Sequence, residues 1–160
     1  MCDNVSFDHV VILTVQGAYV STSRAIYRRL LHATYTSDKE AMAYATAELG
    51  GQEVTWADSG LLAASVFTLA IRDWFAEGVD EHEVVALAEA VAERSDQEQN
   101  MLETVIWSAL GRDDLVDEVG PMHRMRAHVA VVKEIVQKVD GTEEDVSGLL
   151  DQAEEMLDSI

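Results

Sequence analysis

Apolar residues recur at steps of three and four through most of this chain, the spacing that lines one face of an α-helix. The pattern is clearest in GTEEDVSGLLDQAEEMLDSI, residues 141–160. There Val146, Leu149, Leu150, Ala153, Leu157 and Ile160 share a face, while Glu144, Asp145, Asp151, Glu154, Glu155 and Asp158 fall largely between them. Thr142 and Asp145 have capping-box spacing, and acids in a first turn suit the positive end of a helix dipole. An acidic amphipathic helix is predicted over 143–158, its stripe docked on the protein's own core and its acids facing water.

The same reasoning extends toward the N-terminus. Pro121 occupies a first-helical position and opens a helix striped by Met125, Val129, Val132 and Val136, with Gly141 separating it from the last helix. MLETVIWSALG, at 101–111, reads as an apolar helix stopped by Gly111, and RDDLVDEVG after it as an acidic connector or a single turn. Ser95 and Glu98 have capping-box spacing within the polar break RSDQEQN. Before that break, Asp80 and Glu83 open a helix with Val84, Leu87, Ala88 and Val91 on one side. GLLAASVFTLAIRDWFAEG is apolar on all sides from Leu61 to Ile71, so a central core helix is expected near 59–77. Ser37 and Glu40 bracket the start of a short helix that Gly50 and Gly51 end. In RAIYRRLLHATY, Ala25, Ile26, Leu30 and either Ala33 or the preceding Tyr19 form the predicted face. The β-branched run at 9–20 suits a strand, yet its only candidate partner is EVTW at 53–56, so a helix is expected there. Residues 1–8 are expected to be flexible.

The sum is one all-α domain over 1–160, an irregular bundle of about six or seven helices without a repeat of fixed period. A hydrophobic fraction of 48% in 160 residues supports a real core. The single cysteine, Cys2, has no internal partner, which points to a reducing compartment. Asp3 and Asp8 precede the first apolar run where a leader would carry cations, and the longest uncharged runs fall short of the roughly 18–20 residues that cross a bilayer. A cytoplasmic protein without membrane contact is therefore expected.

Charge changes the picture most. The formal net charge is −19, from 30 acids and 11 Lys and Arg residues, with −15 carried by residues 38–118 and −8 by 140–160. Such a field repels nucleic acid and anionic lipid and draws basic surfaces, so direct nucleic-acid binding is not expected and a basic protein surface is. Solubility or salt adaptation would produce the same composition. The mildly basic stretches 1–37 and 121–139 are expected to pair internally with acidic neighbours, at about 0–1 kcal/mol for each exposed pair.

Catalytic signatures are sparse. None of His9, His32, His82, His123 and His128 follows an acid by three residues, as a di-iron bundle requires. Glu77, Asp80, Glu83, Glu89 and Glu93 have spacings that facing helices use to hold magnesium, but 30 acids generate such spacings by chance. No phosphate loop, dinucleotide fingerprint or nucleophile elbow occurs. No metal, cofactor or catalytic residue is assigned, and the enzyme question leans to no.

The leading expectation is a non-catalytic interaction protein: an inhibitor, immunity factor or nucleic-acid mimic that binds through Glu77, Asp80, Glu81, Glu83, Glu93, Asp96, Glu98, Asp113, Asp114, Asp117 and Glu118. An alternative is a ligand-binding regulator or small enzyme with a pocket among Trp56, Trp74, Trp107, Met101 and Met125, although core packing explains those residues equally well. A third is the subunit of a homo-oligomer.

Overall fold

The computed structural model describes residues 24–50, 56–112 and 116–160, with positions 56–58 and 116 described for the backbone alone. The expected segment 9–20 lies outside these residues, as do 1–8, 53–55, Gly51 and residues 113–115 of the acidic connector. Among the described residues every regular element is helical. They are α1 over 24–35, α2 Lys39–Leu49, α3 Trp56–Trp74, α4 Glu81–Arg94, α5 Gln99–Ala109, the short 3-10 helix Val116–Glu118, α6 Pro121–Lys138 and α7 Glu143–Asp158.

The apolar run expected at the centre is there. Leu62, Ala63, Val66, Phe67, Ala70 and Ile71 of α3 are buried, and α5, α6 and α7 pack around it. Leu61 is the exception at 54% exposure, which gives the helix one wet edge. A core cluster draws Tyr27, Leu31 and Tyr35 from α1, Val84, Leu87, Ala88 and Val91 from α4, and Val146, Leu150 and Ala153 from α7. Each fully buried Leu or Ile contributes about 1.5–3 kcal/mol and each exposed ion pair about 0–1 kcal/mol, so burial decides stability and charge decides arrangement.

The ion pairs do arrange α1. Arg24 meets Asp158 at 2.9 Å and Arg28 meets Asp151 at 2.7 Å, with Glu154 on its other nitrogen, so α1 is held along α7. Arg29 grips Glu48 of α2 through two bonds of 3.0 and 2.7 Å. On α6, Glu134 is buried between Arg94 at 3.6 Å and Lys138 at 3.9 Å. The expected pairing with acidic neighbours is therefore present for Arg24, Arg28 and Arg29, whereas Lys138 meets an acid of its own helix.

Several helix ends differ from the expectation. Ser37 does not cap α2; it sits at φ 58° and ends α1, with the Asp38 N–H bonding Ala33 O at 2.9 Å and the Ser37 N–H bonding Thr34 O at 3.3 Å. This six-to-one and five-to-two pair is a Schellman ending. Asp38 then caps α2, its carboxylate accepting from the Ala41 N–H at 3.0 Å. Asp38 thus completes the end of α1 with its N–H and opens α2 with its carboxylate. Ser95 likewise ends α4 rather than opening α5, its hydroxyl donating to Val91 O at 2.7 Å. The left-handed position after α6 belongs to Asp140 at φ 51°, not to Gly141. The capping box on α7 is as expected: Thr142 N–H donates to Asp145 Oδ2 at 2.8 Å and Asp145 N–H to Thr142 Oγ1 at 3.1 Å.

Two faces are rotated from the reading. On α1, Ile26 and Ala33 are buried as expected, but Ala25 is exposed and the line that joins the core cluster is Tyr27, Leu31, Tyr35, spaced by four. On α6, Ala127, His128, Val131, Val132 and Ile135 are buried, while Met125, Val129 and Val136 flank them. Ile160, placed on the stripe of α7, is 98% exposed beyond its end.

Candidate functional site

Acids collect where α3 and α6 end and α4 and α7 begin, each placed there by a local rule. Asp80 caps α4 through a 2.9 Å bond from the His82 N–H, with Glu81 and Glu83 in the first turn. Glu143, Glu144 and Asp145 fill the first turn of α7, where the helix dipole favours them. The Thr142 backbone N–H holds the Asp145 carboxyl below its ordinary range.

Between these termini lies a groove of about 610 Å3. Its apolar lining comes from Ala70 and Trp74 of α3, Ile135 and Val136 of α6, and Val146 and Leu149 of α7, while Asp73, Glu144 and Asp145 also face it. Val139, at the groove's edge and 58% exposed, is carried outward by the Schellman ending of α6, in which the Gly141 N–H bonds Val136 O at 2.9 Å and the Asp140 N–H bonds Gln137 O at 3.3 Å. Trp74 also lines an adjoining pocket with Glu83, Ala86, Leu87 and Lys138.

The acids expected to form one surface separate into two groups. Glu77, Asp80, Glu81 and Glu83 belong to the end just described. Glu93, Asp96 and Glu98 lie toward the far end of α4, about 21 Å away at 1.5 Å per residue. There Asp96, Glu98 and Glu118 share a pocket of about 530 Å3 with His123 and Arg126, so that end is of mixed charge. Asp117 is exposed beside Glu118, and Asp113 and Asp114 fall outside the described residues.

The aromatic and methionine set is also dispersed. Trp74 is at the groove; Trp107 carries the Arg112 guanidinium 4.7 Å above its ring; Met101 lines the mixed pocket. Met125 accepts from the Tyr27 hydroxyl at 3.5 Å, beside another pocket. Trp56 opens α3, with its side chain outside the description. Among the described residues, none of these pockets gathers them.

A pocket of about 530 Å3 beside α2 is lined by Arg28, Arg29, His32 and the exposed Tyr44. Its cations are spent on Asp151, Glu154 and Glu48, which removes the positive potential an anion would need. His128 is buried and stacked on Phe67 with ring centroids 4.3 Å apart. Burial pulls its pKa down to about 4, helped by Arg124 one turn earlier, so it packs as a neutral ring. Burial likewise pushes Tyr27 up to about 12. Among the described residues, no three His, Cys, Asp or Glu side chains converge as metal ligands, and no helix is long and apolar enough to cross a membrane.

Asp73, Val139, Leu149, Glu144 and Asp145 were not among the residues expected to form a site. The lone Gly148 inside an otherwise regular amphipathic helix was the available signal, because such a glycine marks a packing or spatial requirement. Compared with protein-family models, curated proteins and solved structures, the chain matches none of them.

Proposed function

We propose that this chain is a non-catalytic interaction protein whose acidic surface engages a basic surface of a macromolecular partner. The segregation of charge carries this reading. Arg24, Arg28, Arg29, Arg94 and Lys138 each face a carboxylate within the bundle. Glu77, Asp80, Glu81, Glu83, Glu93, Asp96, Glu98, Asp117 and Glu118 are exposed and enter none of the ion pairs among the described residues. With nearly half the cations neutralised internally, the field of a −19 chain is left to its surface, where it steers basic partners in a salt-dependent way.

An inhibitor or immunity factor that blocks a basic groove fits this distribution better than a mimic of duplex nucleic acid. A duplex presents a continuous charge every ~1.7 Å. On α4 the exposed Val85 and Ala86 separate Glu81 and Glu83 from Glu89 and Glu93, so the run of charge is broken.

The test compares the wild-type chain with a Glu77→Gln, Glu81→Gln, Glu83→Gln variant; Asp80 is spared because it caps α4. Each is immobilised, exposed to lysate and eluted in rising salt. A basic protein held by the wild type, released by salt and lost from the variant is expected. Equal capture by both, or release by detergent but not by salt, counts against the reading.

A further inference from the structure

We infer that the groove between α3, α6 and α7 is the anchor point for this partner and that its occupant is a basic amphipathic helix; the inference rests on the acidic-surface reading above. The lining of Trp74, Val136, Val139 and Leu149 offers apolar contact, and about 610 Å3 exceeds the volume of any one side chain. Gly148 keeps this space open. It lies inside α7, has no left-handed backbone to justify it, and a Cβ built there meets nothing within 4 Å. Neither a turn nor a close approach requires glycine at this position, whereas any longer side chain would stand in the groove it lines.

Charge selects the occupant. Asp73, Glu144 and Asp145 border the groove without a cation among its lining residues, Glu83 lies in the adjoining pocket, and Lys138 there is engaged by Glu134 at 3.9 Å. A phosphate or an anionic lipid is repelled, and a second copy of the chain brings its own charge of −19. The first turn of α7 is capped by Thr142 and faced by its own acids, so its N–H groups do not invite an anion. The described groove walls are helices without a strand edge for backbone pairing, which favours a guest that satisfies its own backbone and presents apolar anchors at helical spacing.

The probe is a synthetic helical peptide of leucine and lysine, titrated into a Trp56→Phe, Trp107→Phe chain in which Trp74 is the one remaining tryptophan. A saturable change in Trp74 emission, weakened by salt, is expected, and Gly148→Met should reduce the affinity at least tenfold while circular dichroism and Tm are retained. The proposal is overturned if Gly148→Met binds as tightly as its parent. If that happens while Glu77→Gln, Glu81→Gln, Glu83→Gln abolishes binding, the groove fails and the acidic-surface reading stands. If both variants bind like the parent, both fail. Equal binding of a leucine and glutamate peptide overturns the charge selection, and a concentration-dependent dimer that perturbs Trp74 without peptide makes a second copy the occupant instead.

Discussion

Replacing His128 with phenylalanine should remove about 3 kcal/mol of pH-dependent stability. The imidazole is buried on α6 and stacked on Phe67. Its pKa is drawn from 6.5 to about 4, chiefly by burial and secondarily by Arg124. The unfolded chain takes up this proton near pH 6.5 and the folded chain near pH 4, so between those values the unfolded state binds more protons. The contribution is fully present above the unfolded value and is lost as pH falls through the window toward the folded one. At about 1.4 kcal/mol per pH unit, a window of about 2.5 units gives about 3 kcal/mol. A second effect runs the other way, because acidification also neutralises some of the 30 carboxylates and eases their mutual repulsion. The wild-type curve alone therefore mixes two signs, and only its difference from the variant isolates the imidazole. Urea denaturation of both proteins across about pH 4 to 7.5 supplies that difference. The stability of His128→Phe relative to wild type should rise by about 3 kcal/mol from the neutral to the acidic end. A flat difference would refute burial of a neutral ring, and a fall would mean the ring is charged and partnered.

Three further perturbations test the packing. The Tyr35 hydroxyl is buried without a hydrogen-bond partner, so Tyr35→Phe should gain about 1 kcal/mol in urea denaturation, whereas a loss would reveal a bond made in solution. Gly148→Ala should stabilise by about 1 kcal/mol because the new methyl meets nothing within 4 Å; a lower Tm would mean that the groove is closed around this position. Thr142→Ala should lose about 1 kcal/mol with the capping box of α7, and an unchanged midpoint would place the stability of that terminus in its packing alone.

The helices were legible because their signals are local. The run Leu61–Ile71 has too many apolar sides for a surface helix, and Thr142 lies at the right distance from Asp145 to cap one. Where two competent residues stood side by side, as Ser37 and Asp38 did, spacing alone could not choose between them. The choice depended on which residue took the left-handed turn. The rotated face of α6 has a similar origin: small and polar residues, Ala127 and His128, occupy the buried line because α3 approaches there, with Phe67 against the imidazole. The groove was least legible, since it needs the ends of α3, α6 and α7 to meet, a relation between residues about 65–75 positions apart that no single helical pattern records. Two of its acids, Glu144 and Asp145, were already explained by the helix dipole of α7, which hid their place at the groove.

The junction at Ser37 and Asp38 also has a consequence for the order in which the bundle opens. With Ser37 ending α1 and the adjacent Asp38 capping α2, no spacer cushions movement of α2, and Ala45 is its one buried residue. Among the described residues it is tied further by the Arg29–Glu48 pair and the half-buried Leu49. In deuterium exchange, the amides of α2 should therefore exchange through a local, low-energy opening pivoting at Ser37, whereas those of α3 wait for unfolding of the whole bundle. Detachment of α2 frees Arg29 from its carboxylate, so the transiently open protein presents an unpaired cation that the closed one neutralises.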